Sequence, residues 1–599
     1  MVACRGRNLW RPIPYSQAAI GWIANRIILG TTLGVLLSPA QLAAQVGPLP
    51  PVMDRGQRAP QPSLPDKDQP VKPEEAPLGP LPLPLPQPPP PGPRPGAGPR
   101  FLVREILFTG NTAFSDRDLA PVIAPYLNKE LTTEDVESLR LAVTVFYVNK
   151  GYITSGAVVP DQEVKDGVLR LQIIEGKLSS IDLEGNRWFR SSYLRDRIEL
   201  GIGPPLNMTV LQERLQLLQQ DGRIEQLNAE LRPGLVRGES ELHVKVKEAN
   251  PFHAWLEFNN YQTPVVGAER GIGTVSMDNL TGHGDPFTFS YGGSEGVNPL
   301  IYTSYQIPLN RWDTSLLFEY RRNDFVVVEQ QFQGLNISAQ AEIIGVTLRQ
   351  PIVRTLNHEF VLAVQGEHLY NKTFLLGQPF DFVAGQQNGV ANDSALRFIQ
   401  EYTYRTQASV IAARSRFSVG LNVLGATITP STPGNPVADG QFFAWLGQLQ
   451  AVHRLDRFWG IQLLGRLDAQ LANDRLFPLE QVPVGGRFSV RGYRENTLVR
   501  DNALMASFET RIPILRRANG EDMLQLAPFV DYGRAYNNEV PDPAPNFLAS
   551  VGVGLRWSVL PRDRAHFEIY WGQQLNHFQV GEGNLQDHGI HLQFVVQAL

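Results

Sequence analysis

From Asn250 to Leu599 apolar residues fall on every second position, and nowhere in that stretch is there an apolar run long enough for a spanning helix. Phe287, Phe289 and Tyr291 alternate with Thr288 and Ser290, and Leu316, Phe318 and Tyr320 alternate with Ser315, Leu317 and Glu319. Phe567, Ile569 and Trp571 alternate with His566, Glu568 and Tyr570; Ile590, Leu592, Phe594 and Val596 alternate with His591 and Gln593. A period of two means strands. One apolar, aromatic face and one polar face fit a transmembrane β-barrel with a wet lumen. A soluble sandwich also alternates, with its polar face outward. Aromatic strand ends, the absence of cysteine beyond Cys4 and the N-terminal sequence favour the barrel. About 350 residues at roughly 22 per strand and loop give about 16 antiparallel strands.

Residues 1–44 read as a signal peptide. Arg5, Arg7, Arg11 and Arg26 form an extended basic region, Ile27 to Leu37 is mostly apolar, and small residues lead to a cleavage point after Ala44. A short membrane anchor is the other reading, and the apolar stretch is too short for it. Residues 45–100 are a proline-rich linker, with Pro88 to Pro91 unbroken. Such a tract favours an extended spacer, or less simply a PxxP-type ligand, over helix or sheet.

Residues 101–176 change character. Phe101 to Phe108 reads as a strand and Ser115 to Tyr126 as a short helix. Thr132 and Asp135 form a capping box for a second helix, whose stripe is Val136, Leu139, Val143, Phe146 and Tyr147. Gly151 stops it, and strands follow at Tyr152 to Val159 and Gly167 to Ile174. Residues 177–248 repeat the order: strand Leu178 to Leu183, helix Ser191 to Leu200, a helix capped by Thr209 and Gln212, then strands Ile224 to Leu231 and Glu241 to Val246. Two tandem copies of one small α+β module account for both stretches.

The formal charge of -5 implies no nucleic-acid partner, and a single cysteine excludes a disulfide framework or a cysteine metal site. His283, His358, His368 and His453 lie in or beside strands without metal-ligand spacing. Ser489 sits in no nucleophile elbow, and Gly282-His283-Gly284 reads as a hairpin turn. No catalytic residue, metal or cofactor is expected.

One candidate site remains. In the strand Leu524 to Gly533, Leu524, Leu526, Pro528, Val530 and Tyr532 share a lipid-suited face, so Gln525, Ala527, Phe529, Asp531 and Gly533 face the lumen. A carboxylate facing hydrocarbon is costly, whereas one facing water is free to pair. About forty residues earlier in the chain Arg491 is bracketed by Gly485, Gly486 and Gly492, which let a loop turn sharply and approach a wall. An arginine fork can bind a carboxylate bidentately. The expectation is that a loop from about Gln481 to Leu498 enters the barrel and docks Arg491 on Asp531. Spacing and composition alone prefer the plainer reading, a solvated loop arginine and an unrelated lumen aspartate; a family resemblance reverses that preference.

The chain from about Phe101 to Leu599 resembles the outer-membrane transporters of two-partner secretion, the TpsB family (ShlB/FhaC/HecB-like) within the Omp85 superfamily. Gly110-Asn111-Thr112-Ala113-Phe114-Ser115, Lys150-Gly151-Tyr152-Ile153-Thr154-Ser155 and Glu175-Gly176 resemble the family's first POTRA domain, a periplasmic receptor module. Leu231-Arg232-Pro233-Gly234 with Gly238-Glu239-Ser240-Glu241-Leu242 resembles the second, and Gly282-His283-Gly284-Asp285 an early barrel hairpin. Most specific are Val490-Arg491-Gly492-Tyr493 and Phe529-Val530-Asp531-Tyr532-Gly533, which in the superfamily are the tip of the sixth extracellular loop and the barrel wall it contacts. Asp587, Gly589, Leu592 and Phe594 resemble the signal by which outer-membrane barrels are recognised for assembly, although the chain continues to Leu599.

The resemblance implies a barrel spanning residues 249–599 in the outer membrane of a diderm bacterium, with two POTRA domains in the periplasm. It implies an unfolded exoprotein of the haemagglutinin, haemolysin or adhesin kind as partner, recognised through an N-terminal secretion domain and passed to the cell surface. Outer-membrane lipids and the barrel-assembly machinery are the other partners implied. The proline-rich tract departs from members that carry an N-terminal plug helix. A barrel-assembly factor is the alternative within the superfamily, and a passive porin or adhesin the alternative outside it.

Overall fold

The computed structural model describes residues 100–432, 436–561, 564–578 and 583–598; the expected signal peptide and all but the last residue of the expected proline-rich linker lie outside them. Residues from Phe252 onward form a closed barrel of sixteen strands, each antiparallel to the next. They are β1 (Phe252–Asn259), β2 (Arg270–Met277), β3 (Phe287–Ser294), β4 (Val297–Pro308), β5 (Ser315–Val326), β6 (Ser338–Arg354), β7 (His358–Leu375) and β8 (Val390–Arg405). The circuit continues through β9 (Ser409–Gly420), β10 (Phe443–Leu455), β11 (Ile461–Ala472), β12 (Asn502–Arg516), β13 (Asp522–Tyr536), β14 (Phe547–Ser558), β15 (Ala565–Gln574) and β16 (Ile590–Gln597). A two-residue strand, Gln378–Pro379, adds to β7 in the loop that follows it. Closure comes from β16 pairing with β1, Phe594 opposite Phe258. A closed barrel leaves no open strand edge, as a bilayer demands.

The alternation sorts as the sequence predicts. On β13 Val530 and Tyr532 are 45% and 40% exposed on the outside, while Asp531 between them is 1% exposed on the inside. Phe289, Tyr291, Phe318, Trp571 and Phe594 lie on the same outer surface. Among the described residues no helix is long and apolar enough to cross a membrane.

The first module places strand Val168–Ile174 between Glu105–Thr109, parallel to it, and Gly156–Val158, antiparallel. Helices α1 (Asp116–Ile123) and α2 (Thr133–Asn149) cover the sheet, with Leu119, Leu139, Val143 and Tyr147 fully buried. The capping box at α2 forms: Asp135 N donates to Thr132 Oγ1 at 3.2 Å and Thr132 N donates back to the Asp135 carboxylate at 2.8 Å. The second module repeats the plan, with Glu239–Glu248 between Lys177–Glu184, parallel, and Ile224–Pro233, antiparallel, under α3 (Ser191–Glu199) and α4 (Met208–Gln219).

Three local expectations need correction. The first strand breaks at Arg104: Phe101–Val103 pairs with Lys129–Leu131, and Glu105–Thr109 pairs with the central strand. Tyr152 to Ser155 form turns, because Tyr152 N donates to Tyr147 O at 3.0 Å and closes the end of α2; only Gly156–Val158 is strand. The cap of α4 is Asn207, whose Oδ1 accepts from Thr209 N at 2.9 Å, so Thr209 lies inside the first turn.

The second module sits on the near-end turns of the barrel. Arg190 N donates to Gly282 O at 2.9 Å and Arg223 Nη1 to Gly284 O at 2.6 Å. Arg197 lies flat on Tyr193, 3.5 Å from the ring centre, and pairs with Asp313 of the β4–β5 turn at 2.5 Å. A side chain at Gly284 would bring its Cβ to 2.5 Å from the Tyr193 hydroxyl, so the turn needs glycine for this close approach as well as for its positive φ.

Candidate functional site

Residues 473–501 join β11 to β12 at the barrel end opposite the modules, the sixth connection there. Within this segment Val482–Val484 pairs with Leu498–Arg500 as a small hairpin, and between them the chain turns through Gly485, Gly486 and Gly492, all at positive φ. The segment does not lie over the mouth. Val484, Val490, Tyr493 and Leu498 pack with Ala503, Met505, Ala535 and Leu548 of the wall in one apolar cluster.

The tip is fixed by Arg491. Its backbone N–H donates to Asp531 Oδ2 at 3.0 Å, Nε to the same oxygen at 2.7 Å and Nη2 to Oδ1 at 2.8 Å. Nη1 donates to the Glu509 carboxylate, and Nη2 also reaches Ser507 Oγ at 3.1 Å. Ser507 donates in turn to Asp531 Oδ1 at 2.6 Å. The guanidinium carbon lies 3.6 Å from the centre of the Phe529 ring and 5.1 Å from that of Tyr570, so cation–π contacts add to the in-plane hydrogen bonds. Arg491 and Asp531 are 3% and 1% exposed. Burial at this depth removes the screening that makes surface ion pairs weak, and the forked geometry fixes orientation as well as contact.

The other motif positions explain themselves by close approach. A Cβ at Gly492 would stand 2.7 Å from Gly572 O and 3.1 Å from its Cα, so this loop backbone touches the β15 backbone. Gln574 Nε2 donates to Gly492 O at 2.8 Å. Tyr493 sends its hydroxyl to Ala549 O at 2.9 Å and Asn576 O at 2.7 Å, spanning two strand ends. Gly533 leaves room for Val484 and Val490, whose methyls would be 2.5 and 2.8 Å from an added Cβ. Val490 is fully buried beneath them.

Sequence reasoning missed the ion pairs around the tip. Arg487 pairs with Glu568 at 2.8 Å, Arg556 holds the same carboxylate at 2.6 Å, and Glu509 is held by Arg511 at 2.8 Å. Arg494 grips Asp587 through Nε and, at 2.9 Å, through Nη2, and reaches Glu329 at 3.0 Å. Strand parity could have found two of these carboxylates: Glu509 follows outward Phe508, and Glu568 lies between outward-side Phe567 and Ile569. Asp587 and Gly589 lie in the turn before β16, where Asp587 serves the loop arginine; Leu592 and Phe594 lie on β16 itself.

The positions singled out in the first module form one knot. Glu175 accepts from Thr112 N at 2.7 Å, Ala113 N at 2.8 Å and the Tyr147 hydroxyl at 3.1 Å. Burial and this carboxylate push the Tyr147 phenol up. Gly110 turns at φ 81, its neighbour Asn111 donates to Phe114 O at 3.1 Å, and Tyr152 meets the Phe114 ring edge-on at 5.4 Å. Gly176 N donates to Ser155 Oγ at 2.8 Å. Gly151, at φ 91, ends α2 and accepts from Met208 N at 2.9 Å, which links the two modules. No group of three or more His, Cys, Asp or Glu able to hold a metal ion occurs among the described residues.

Comparison with known proteins places this architecture. A family model described as haemolysin secretion/activation protein ShlB/FhaC/HecB matches residues 238–557, more than half of the chain, and a model described as POTRA domain, ShlB-type, matches residues 101–176. The outer membrane transporter CdiB of Dickeya dadantii is 24% identical over 481 residues, covering 77% of this chain and 81% of that protein. The solved structure of CdiB from Escherichia coli superposes with a TM-score of 0.65 at 19% identity, over 84% of this chain and 92% of that one. CdiB from Acinetobacter baumannii superposes with a TM-score of 0.58 at 19% identity, over 84% and 90%. The chain, with its paired modules, its sixteen-strand barrel and its loop arginine seated on the wall, belongs to the haemolysin secretion/activation protein ShlB/FhaC/HecB family.

Proposed function

We propose that this outer-membrane transporter of two-partner secretion passes one unfolded exoprotein through the lumen that the loop carrying Arg491 now fills. The observation behind this reading is the loop's attachment. It is held by polar contacts and side-chain packing, and its two ends leave adjacent strands, β11 and β12. Such a segment can leave the lumen without breaking the barrel ladder. Arg491, seated on Asp531 and Glu509, fixes the tip of the loop inside the resting pore.

Both modules have outer strands on the periplasmic side. Glu105–Thr109 edges the first sheet, whose other edge, Gly156–Val158, is covered where Ala157 N and O bond Thr144 and Arg140 of α2; Ile224–Pro233 and Lys177–Glu184 flank the second. Main-chain pairing along such an edge binds an extended chain with little demand on its sequence, and neighbouring pockets add selectivity. The N-terminal secretion domain of the exoprotein is the segment proposed to dock there. Folding of the emerged chain outside the cell supplies direction.

The test is export in the native host by Arg491→Ala and Asp531→Ala, with membrane insertion followed in parallel. The reading expects less exoprotein in the medium at unchanged barrel level. Normal export by both variants would remove the pair from the mechanism.

A further inference from the structure

The root of the same loop carries a second ion cluster of opposite polarity. At the tip the loop supplies the cation and the wall the carboxylates. At the root Glu480 supplies the carboxylate, and Arg397 on β8 supplies the cation. Arg397 Nη2 donates to Glu480 Oε1 at 2.6 Å and to Glu367 Oε2, on β7, also at 2.6 Å. Its Nε reaches Glu367 Oε2 at 2.9 Å, and Nη1 reaches Ser418 Oγ, on β9, at 2.8 Å. Arg397 has no exposed surface, and Glu480 and Glu367 are 2% and 7% exposed. One guanidinium therefore ties three adjacent strands to the loop.

The surroundings are built to hold this limb. Gln470 Nε2, on β11, donates to Glu480 O at 2.9 Å. Phe477 packs with Ala391 of β8 and with Ala438, and Leu476 packs with Ala395 of β8 and with Phe442. Small residues at two inward positions of β8, next to Arg397 in the same row, leave the room that the two large side chains fill. Removing Glu480 from this site would leave Arg397 buried against Glu367 alone.

We propose that Arg397 and Glu480 are a second latch on the loop, so that emptying the lumen requires the tip pair and the root pair both to break. The inference rests on the reading that the loop leaves the lumen. It assigns Arg397 and Glu480 as positioning residues for transport. The two clusters lie on different walls, β7 to β9 for the root and β12 to β15 for the tip, so the loop is held across the pore rather than along one side.

The test is single-channel recording of the purified full chain in planar lipid bilayers, without cargo. The variants are Glu480→Gln, Asp531→Asn and the exchange Arg397→Glu with Glu480→Arg; the exchange keeps one cation with two carboxylates. Heat-modifiable mobility in electrophoresis reports that each barrel is folded. Glu480→Gln should raise the frequency of large openings roughly ten- to a hundredfold, the factor a hydrogen bond to a charged group contributes to an equilibrium. The exchange should return openings toward the parent level, which a merely structural role for either residue would not do. If the exchanged protein does not fold, Glu480→Asp should open less often than Glu480→Gln. Unchanged openings in Glu480→Gln beside frequent ones in Asp531→Asn would overturn the latch and leave the loop reading standing. Unchanged openings in both would overturn the two together.

Discussion

Asp531→Asn is the sharpest perturbation of the tip. In the parent, Asp531 accepts four hydrogen bonds: three from Arg491 and one from Ser507. Asparagine keeps one acceptor oxygen and turns the other position into a donor facing a guanidinium. The negative charge is lost as well, and Glu509 alone then faces Arg491. A hydrogen bond to a charged group contributes about 1.5–3 kcal/mol, and two are lost while the retained ones weaken. Retained contact with Glu509 offsets part of this, so we expect a net cost of about 3 kcal/mol to the docked loop. That is about two orders of magnitude in the ratio of docked to released loop. Surface trypsin on intact cells reads this ratio directly. Arg487, Arg491 and Arg494 are 8%, 3% and 8% exposed, so cleavage after these three tip arginines requires the loop's release. Where release and return are fast relative to cleavage, the rate follows the released population. Asp531→Asn should be cut in the loop about a hundredfold faster than the parent. Equal cleavage rates would show that the pair does not hold the loop, and the energetic argument would fall with it.

Other substitutions separate the parts of the account. Gly492→Ala sets a Cβ against the Gly572 backbone, so loop cleavage should rise at unchanged barrel folding, whereas Gly465→Ala, with nothing within 4 Å, should change neither. Arg223→Ala removes the donor to Gly284 O and leaves Asp221 half-buried without its guanidinium; protease cleavage between the second module and the barrel should increase, and an unchanged digest would show that this contact does not fix the module. Hydrogen bonds from the Thr132 backbone and hydroxyl hold the Asp135 carboxyl below the usual carboxylate range. A depressed folded value means the stabilisation is present above the ordinary carboxylate range and is lost as pH falls through the folded value. Asp135→Asn should therefore flatten the acid-side loss of stability in the first module, followed by amide hydrogen exchange of α2 in the full chain.

Much of the fold is visible in the chain because the two solvents of a barrel wall differ so strongly. Lipid outside and water inside force the alternation that separates Val530 and Tyr532 from Asp531, and strand length with loop length then fixes a count near sixteen. Helix α2 is equally legible, since its cap and its stripe are local. The errors fall where a distant contact decides. Tyr152 leaves the strand to close a helix end against Phe114, and Asn207 outcompetes Thr209 as a cap while its amide bonds Lys150 of the preceding module.

The site divides the same way. Parity places Asp531 in the lumen, and glycines mark a loop able to approach, but nothing in the spacing alone joins Arg491 to Asp531; the motif resemblance joins them. The second cluster carries no local signal. Arg397, Glu367 and Glu480 come from three separated segments, and Glu480 is an ordinary loop carboxylate until the barrel closes around it. The second module's seat on the barrel is similar: Gly282 and Gly284 read as a plain hairpin turn, and only the fold shows Arg190 and Arg223 resting on their carbonyls.

The most direct measurement is the protein content of the culture medium of the native host with and without this gene. Deletion should remove one large exoprotein from the medium while other outer-membrane barrels keep their levels, and the intact gene should restore it. An unchanged medium, or a general fall in outer-membrane barrels, would contradict a dedicated export pore.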